Sequence, residues 1–558
     1  MPSMNPQLQL MLQQAIQAFQ SGNLESADLS LRRVLQADSK NLPALHLLGL
    51  IKASQSNYRE AADYLARAAR IHPNDASIQY NLAKALSDSG NDKDALVHHK
   101  KAVALAPNNP EAWLSYGKSA SNLGRYEDAL VWYGNALSLK PDYAEASLNK
   151  GATLKELERY EEAIAFAEQA LSINPNLAEA WTNKGVALKA LRRFDEAIAH
   201  YDKALSLKPD YHESWTNKGV TLHELKRFDE AIAHYDKALS LKPDYHESSW
   251  NKSLSLLLQG DYENGLPLYE SRWESMKVSE IAGKRFFAEP AWLGAESLQD
   301  KTILLYGEQG LGDSIQFCRY VKLVADLGAN VILEVPEALI GLMKDLDGIS
   351  QLVIKGEELP FFDYQCPLLS LPLAFKTNLD TIPNPSRYIN LDNHPNKIME
   401  WKERLGSKLK LRVGLVWSGN PHHKNDHNRS ILLSDILPFL SNQCEYVSLQ
   451  KEVREVDKLT LNSNPHILNF AGYLNDFLDT AALINCLDLV ISVDTSVAHL
   501  AAAMGKKTWV LLPYVPDWRW LLDREDSPWY PSMKLYRQTS IGNWNSILDR
   551  VKSDLSSK

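Results

Sequence analysis

At 558 residues the chain is too long for one hydrophobic core, so two or more domains are expected. Hydrophobic residues make up 45% and charged residues 23%, ordinary values for a globular protein, which excludes a disordered or collagen-like chain. A formal net charge of −9 argues against a general nucleic-acid binder, and the four cysteines, Cys318, Cys366, Cys444 and Cys486, have no metal-ligand spacing and read as free thiols.

The N-terminal MPSMNPQLQLMLQQAIQAF has no basic stretch leading into an apolar one, and no apolar run reaches membrane-spanning length. No transmembrane segment, no nucleic-acid partner and a cytoplasmic location are the expectations. Pro73, Pro107, Pro141, Pro175, Pro209 and Pro243 then recur every 34 residues (107 − 73 = 34, and so on). In the copy from Ala178 to Tyr211, Trp181, Gly185, Ala187, Tyr201, Ala204 and Pro209 alternate small and aromatic residues at helical spacing. Gly185 and Ala204 let two helices approach, Trp181 and Tyr201 fill the gaps, and proline closes the unit. That period with that filling is the tetratricopeptide (TPR) pattern, an α-solenoid. Ser39 replaces the first proline, so the copy around Met11 to Ala37 reads as a cap. Gly265-Leu266-Pro267 is expected to interrupt the last, divergent pair.

Asn81, Asn149, Asn183, Asn217 and Asn251 share one position of the first helix, a row broken only by Ser115. Stacked amides can hydrogen-bond an extended peptide without reading its side chains, or can tie neighbouring helices together. Both readings stay open. His200, His212, His234 and His246 are surface positions inherited with the repeat. The domain reading is a TPR region over 1–273 and a packed linker over 274–300, then two Rossmann-like lobes, 301–395 and 396–558.

Thr302 to Tyr306 reads as a buried strand. It is followed by Gly307-Glu308-Gln309-Gly310-Leu311-Gly312-Asp313 and a helix from Ser314. Strand, glycine turn and helix aim backbone N–H groups at an anion, without the spacing of a P-loop or a dinucleotide fingerprint. Strands are expected at 331–335 and 352–354 and near Tyr364 and Tyr388. A second α/β unit opens at Leu411–Trp417 and runs into Ser418-Gly419-Asn420-Pro421 and the polar loop His422 to Arg429. Strand 446–449 ends at Gln450-Lys451. Asp488–Val493 delivers Asp494-Thr495-Ser496-Val497-Ala498-His499 to a strand end, strand 509–512 follows, and 544–555 reads as an amphipathic helix. Polar loops at the ends of two parallel sheets make a cleft.

Gly310-Leu311-Gly312-Asp313, the loop 414–429 and the Asp494–His499 motif together resemble the heptosyltransferase family of glycosyltransferases. The resemblance implies the GT-B fold and transfer of a sugar from a nucleotide-sugar to a hydroxyl. The order of repeats and transferase is similar to that of O-GlcNAc transferase. By that resemblance Asp313 is the general base, Arg429 with Lys424 holds the donor phosphates (a lysine is usual at position 429), and Asp494 and His499 lie at the donor site. Displacement would invert the anomeric carbon.

The chemistry needs a base, charge stabilisation for the departing diphosphate, and a donor grip. Amides at Thr495 and Ser496 could assist Arg429, and Gln450 and Lys451 would face the nucleotide. Trp518 and Arg519 could touch sugar or acceptor. Gly310 and Gly312 shape the first loop. No DxD-type carboxylate cluster is evident, so no metal and no cofactor beyond the nucleotide-sugar is expected. The expected partner is a protein or peptide acceptor along the repeats. Structural alternatives stand beside these roles: Asp313 and Asp494 as helix caps, Arg429 as a solvated charge, and Trp518, Trp520 and Trp529 as core. The chain could also be a scaffold with a degenerate transferase domain, or a transferase for a glycan or lipid-linked acceptor.

Overall fold

The 34-residue period folds as helix pairs because each copy solves the same packing problem. The computed structural model describes residues 6–275, 284–423 and 425–557, and the chain divides into units 1–221 and 222–558. In the first unit a Cβ on Gly185 would stand 2.6 Å from the Tyr201 ring, and one on Gly117 2.4 Å from Tyr133, so only glycine admits the tyrosine of the second helix. Trp113, Trp181 and Trp215 each donate Nε1–H to the carbonyl of the preceding proline, Pro107, Pro175 and Pro209, at 2.8–2.9 Å. Sequence reading had assigned these tryptophans to packing alone.

Each first helix ends on a left-handed residue. Gly22, Ser56, Gly90, Gly124, Glu158 and Arg192 in the first unit, and Lys226 and Gly260 in the second, all have φ between 58° and 88° or close to it, again 34 residues apart. At Glu158 the turn is closed by Arg159 N–H to Leu154 O at 2.9 Å and Glu158 N–H to Lys155 O at 3.0 Å, the Schellman arrangement.

The second unit begins within helix His212–Glu224 and keeps helices Phe228–Leu241, His246–Leu258 and Tyr262–Tyr269. Pro267 does not break the last helix. It lies inside it, and the chain then tightens into a 3-10 turn, Glu270–Trp273. Residues 284–300 of the stretch read as a packed linker lie along the first sheet: Ala291 bridges Gln365, and Trp292, 2% exposed, donates its N–H to Gln365 O at 2.8 Å. The rest of that stretch, 276–283, lies outside the described residues.

Two parallel sheets follow. The first joins β1 (Thr302–Tyr306), β2 (Asn330–Val335), β3 (Gln351–Ile354) and β4 (Tyr364–Pro367) in the order β3-β2-β1-β4, with Leu305 beside both Leu333 and Cys366. The second joins β5 (Leu411–Val416), β6 (Cys444–Ser448), β7 (Ile467–Asn469), β8 (Leu489–Val493), β9 (Thr508–Leu512) and β10 (Met533–Arg537) in the order β10-β9-β8-β5-β6-β7. Two short edge strands, β7 and β10, escaped the sequence reading. The strand expected near Tyr388 is irregular chain, whose Tyr388 and Ile389 N–H groups both reach Ala503 O. One buried core runs from Leu257, Tyr262 and Tyr269 of the last helices through Trp518 and Trp529 to Ile303, Val324 and Leu483 under both sheets. The last helix pair is thus built into the same interior as the sheets.

Candidate active site

The candidate groups of the two sheets lie in the segments that follow the C-terminal ends of parallel strands. In the second sheet the chain turns one way from β5, toward β6 and β7, and the other way from β8, toward β9 and β10. Loops diverge there, leaving the crevice in which open α/β sheets bind ligands.

The loop after β1 enters helix Leu311–Phe317, and Asp313 is the third residue of that helix. Its Oδ2 accepts the Gly310 N–H at 2.7 Å, so the capping role holds. Its Oδ1 is ion-paired with Arg519, from the 3-10 turn Trp518–Trp520 after β9. Arg519 also holds Asp517 at 2.9 Å. One carboxylate oxygen thus caps the helix and the other meets Arg519. Burial pushes the Asp313 carboxyl up from the usual carboxylate range, while the Arg519 charge pulls it back.

Asp494 and Thr495 follow β8, and helix Ser496–Ala503 begins at once. Trp520 donates Nε1–H to Asp494 Oδ2 at 2.9 Å, and the His499 ring stacks on Trp520 with centroids 5.2 Å apart. His499 Nδ1 is 3.0 Å from the Tyr530 hydroxyl, and its Nε2 is 3.8 Å from Asp494 Oδ1. A Cβ on Gly312 would stand 3.0 Å from His499 Cδ2 and 3.4 Å from Ser496 Cα, so the glycine lets the helix carrying Asp313 lie directly on the Asp494–His499 motif. Burial, with Arg519, Arg319 and Arg429 nearby, drives the His499 pKa well down and keeps the imidazole neutral. Burial and the Asp517 charge push Asp494 upward, against Trp520 and the two arginines Arg429 and Arg519.

Arg429, at the end of helix Asp426–Arg429, donates Nη1–H to Asp494 O at 3.1 Å. Its buried Nε has no hydrogen-bond partner among the described residues and lies 3.6 Å from the Asp426 carboxylate. Gly419 makes room for this guanidinium, since a Cβ there would stand 2.7 Å from Nη2. Arg454 braces the loop, reaching Gly419 O at 2.9 Å, Ser430 Oγ at 3.0 Å and the Asp426 carboxylate. Lys424 lies outside the described residues.

Other expected residues lie elsewhere or are spent. Gln450 turns inward: its Oε1 accepts the N–H groups of Trp417 and Ser418 at 3.2 Å, and its amide donates to Ser418 Oγ and Glu452 O at 3.1 Å. Lys451 donates to Asn475 O at 2.6 Å. Thr495 Oγ1 is 3.0 Å from Ser492 Oγ. Trp518 is 4% exposed, packed with Tyr262, Tyr269, Phe317 and Trp529. In the asparagine row, Asn81 reaches His46 Nε2 at 2.9 Å and Asn251 donates to Glu247 O at 2.8 Å. The Asn149 amide nitrogen is buried and unpartnered among the described residues. A separate cavity of about 410 Å³ opens between the last helices at Ile232, Lys252, Leu256 and Pro267, and no crevice residue lines it.

Sequence reasoning missed Asp517, Trp520 and Tyr530 as crevice residues. It also missed His423, whose pKa is lowered by burial and Arg429 against the charges of Asp426, Asp313 and Asp517. The signal was present in the aromatic density from Pro516 to Tyr530, read from sequence only as core tryptophans with a sugar or acceptor contact at Trp518 and Arg519. That run joins the last helix (Tyr262, Tyr269), the first sheet's helices (Asp313, Phe317, Arg319) and the second sheet's motif (Asp494, His499).

Helical repeats followed by two parallel α/β sheets with facing strand-end loops define a TPR protein carrying a GT-B fold. Comparisons with known families agree. The tetratricopeptide repeat family matches residues 12–76, 46–110 and 182–246, and the cilia and flagella-associated protein 70 middle TPR-like domain matches 79–197. Glycosyltransferase family 9 (heptosyltransferase) matches residues 447–512, which include Asp494–His499 and exclude Asp313, Arg429 and Arg519. The chain carries TPR repeats and, C-terminal to them, a glycosyltransferase family 9 domain. It is 25% identical over 347 residues to Protein FlbA of Caulobacter vibrioides (strain ATCC 19089 / CIP 103742 / CB 15), a match that covers 54% of this chain. The matched part spans about half of that relative's length, 53%.

Among solved structures, MamA 41-end from Desulfovibrio magneticus RS-1 is 25% identical, with 30% of this chain and 96% of that chain covered and a TM-score of 0.29. YrrB, a TPR protein with an unusual peptide-binding site, is 24% identical over 35% of this chain and 100% of its own, with a TM-score of 0.29. A tetratricopeptide repeat protein from Parabacteroides merdae ATCC 43184 is 18% identical over 45% of this chain and 100% of its own, with a TM-score of 0.39.

Proposed function

We propose that the protein transfers a sugar from a nucleotide-sugar to an acceptor hydroxyl, with inversion and without a metal, and that its repeats recruit a protein or peptide acceptor. The observation that carries this reading is the convergence of Asp313, from the loop after β1, with Asp494, His499 and Arg429 of the second sheet, through Gly312 and Arg519. Asp313 takes the proton of the acceptor hydroxyl. The acceptor oxygen bonds to the anomeric carbon as the bond to the diphosphate oxygen breaks, and that oxygen leaves with the electron pair. Cationic Arg429, held at the Asp494 carbonyl, and the first amides of helix Ser496–Ala503 offset the leaving charge. Neutral His499 keeps its ring against Trp520 and orients the motif rather than adding charge.

Thermal shift of the purified chain against UDP-, GDP- and ADP-sugars tests the donor site; the expected result is stabilisation by one nucleotide class, and none by any would refute the reading. Replacing Asp313 by Ala should abolish transfer while sparing donor binding. For the acceptor, replacing the asparagine row, Asn81, Asn149, Asn183, Asn217 and Asn251, by Ala should weaken a peptide acceptor and leave a glycan acceptor unaffected.

A further inference from the structure

Arg519 is the least accounted-for charge of the crevice. It is 7% exposed, lies beside Phe317 and Trp518 with its guanidinium 5.3 and 5.2 Å from the two ring centroids, and pairs with Asp313 and Asp517. Its Nε is buried and has no partner among the described residues. Arg429 donates to the Asp494 carbonyl and is ion-paired with Asp426, and both guanidinium groups act on the Asp494 charge. Two planar cations thus lie within electrostatic reach of Asp494, two residues before helix Ser496–Ala503.

A guanidinium fork recognises carboxylates and phosphates alike, often with two parallel bonds. We propose that Arg519 is shared between Asp313 and the diphosphate of the nucleotide-sugar, so that donor binding draws Arg519 off Asp313 and frees that carboxylate to accept a proton. This rests on the transferase reading above and adds a regulated order to it: the base is released only when the leaving group is in place. A carboxylate clamped by a guanidinium is a weak base, because the ion pair favours its charged form. Transfer of the guanidinium to the diphosphate removes that restraint and supplies the leaving group with its countercharge in one movement.

The segment that would move is held unusually. Leu521, two residues after Arg519, has φ 53° and ψ −164°, and Asp523 has φ 50°, backbone conformations that favour glycine. Arg537 of β10 holds the turn through the carbonyls of Trp520, Leu521 and Arg524 at 2.5, 2.8 and 2.7 Å.

The test compares the intact chain with Arg519→Met and Asp313→Asn, titrated by calorimetry with UDP, GDP and ADP and with the matching monophosphates. Arg519→Met should weaken the preferred diphosphate by about tenfold or more while changing the monophosphate little. With turnover measured on the productive donor, the acid limb of its kcat/KM profile should move to higher pH, because Asp313 loses its countercharge. Asp313→Asn should bind the diphosphate roughly three- to tenfold more tightly than the wild type, since the competitor for Arg519 is gone. Mere removal of a negative charge would tighten both nucleotides equally and would overturn the proposal, as would an unchanged diphosphate affinity in either variant. If no nucleotide binds the wild type, the transferase reading itself fails. If the wild type binds and the variants do not differ from it, only the sharing of Arg519 fails. Should Arg519→Met not fold, Asp313→Asn decides alone.

Discussion

The buried pair Arg272–Glu308 gives the sharpest energetic prediction. Arg272 belongs to the 3-10 turn that ends the helical repeats, and Glu308 to the glycine loop after β1; both side chains are 0% exposed. Arg272 Nε and Nη2 hold Glu308 Oε1 at 3.0 and 2.9 Å, Nη2 also reaches Ser370 Oγ at 2.7 Å, and Nη1 reaches Glu270 and the Tyr269 carbonyl. Glu308 Oε2 has no partner among the described residues, so Arg272 is the charge that makes the carboxylate tolerable there. Arg272→Met keeps the volume and removes the charge. Leaving one member of a buried pair uncompensated costs about 3–5 kcal/mol, whereas replacing both by apolar groups is often neutral. Arg272→Met should therefore lower the unfolding transition of the second unit by roughly 6–10 °C, taking about 2 °C per kcal/mol for a body of this size. Arg272→Met/Glu308→Leu should recover most of that loss.

Burial raises the Glu308 carboxyl well above the ordinary carboxylate value, even against the pull of Arg272. A raised acid is tolerated while protonated and penalised as pH climbs through its folded pKa. The loss in Arg272→Met should accordingly be small at pH 5 and largest near pH 9. Scanning calorimetry of both variants at these pH values is the assay. A single variant that costs less than about 1 kcal/mol at pH 8, or a double variant as damaged as the single, would refute the reasoning. Glu308 stands two residues from Gly310, whose N–H holds Asp313, so the double variant should also turn over at least about tenfold more slowly despite its restored stability.

Three further outcomes follow from named contacts. Gly312→Ala puts a Cβ 3.0 Å from His499 Cδ2, which should cost about 1–3 kcal/mol in calorimetry and abolish transfer. Glu158→Gly and Arg192→Gly, at φ 58° and 60°, should each raise stability by about 0.5–1 kcal/mol, because glycine meets no Cβ penalty in the left-handed turn that Gly22, Gly90, Gly124 and Gly260 fill at the same repeat position. His99, fully buried with neither ring nitrogen partnered among the described residues, has its pKa driven down to about 4. A lowered base contributes stability above its unfolded pKa and loses it as pH falls. The first unit should therefore lose about 3 kcal/mol between pH 6.5 and pH 4, and His99→Phe, which keeps the stack on Tyr116, should flatten that slope in acid-denaturation curves.

What could be read from the sequence, and what could not, divides along a physical line. The repeats were legible because one packing solution recurs at a fixed interval: Gly185 facing Tyr201 must look the same wherever it is used. The interior strands were legible as apolar runs, since both faces of a parallel sheet are covered. The second sheet's edge strands were not, because Ile467–Asn469 has only three residues and Met533–Arg537 carries Lys534 and Arg537. At the site, Asp313, Asp494 and His499 stood out because glycine turns and strand ends announce them. Their electrostatic partners did not, since a side chain's partner depends on which distant segment closes over it. Arg519 meets Asp313 across 206 residues of chain, and Gln450, equally polar and equally at a strand end, spends its amide on the backbone of Trp417 and Ser418. The same distance explains Asp517 and Tyr530. The segment after β9 is the one element that touches the last helix, the helix of Asp313 and the Asp494–His499 motif together. Its density of tryptophan and tyrosine is what such a three-sided joint requires: large apolar area to fill the junction, with N–H and O–H groups at the edges to hold the carboxylate and imidazole in place.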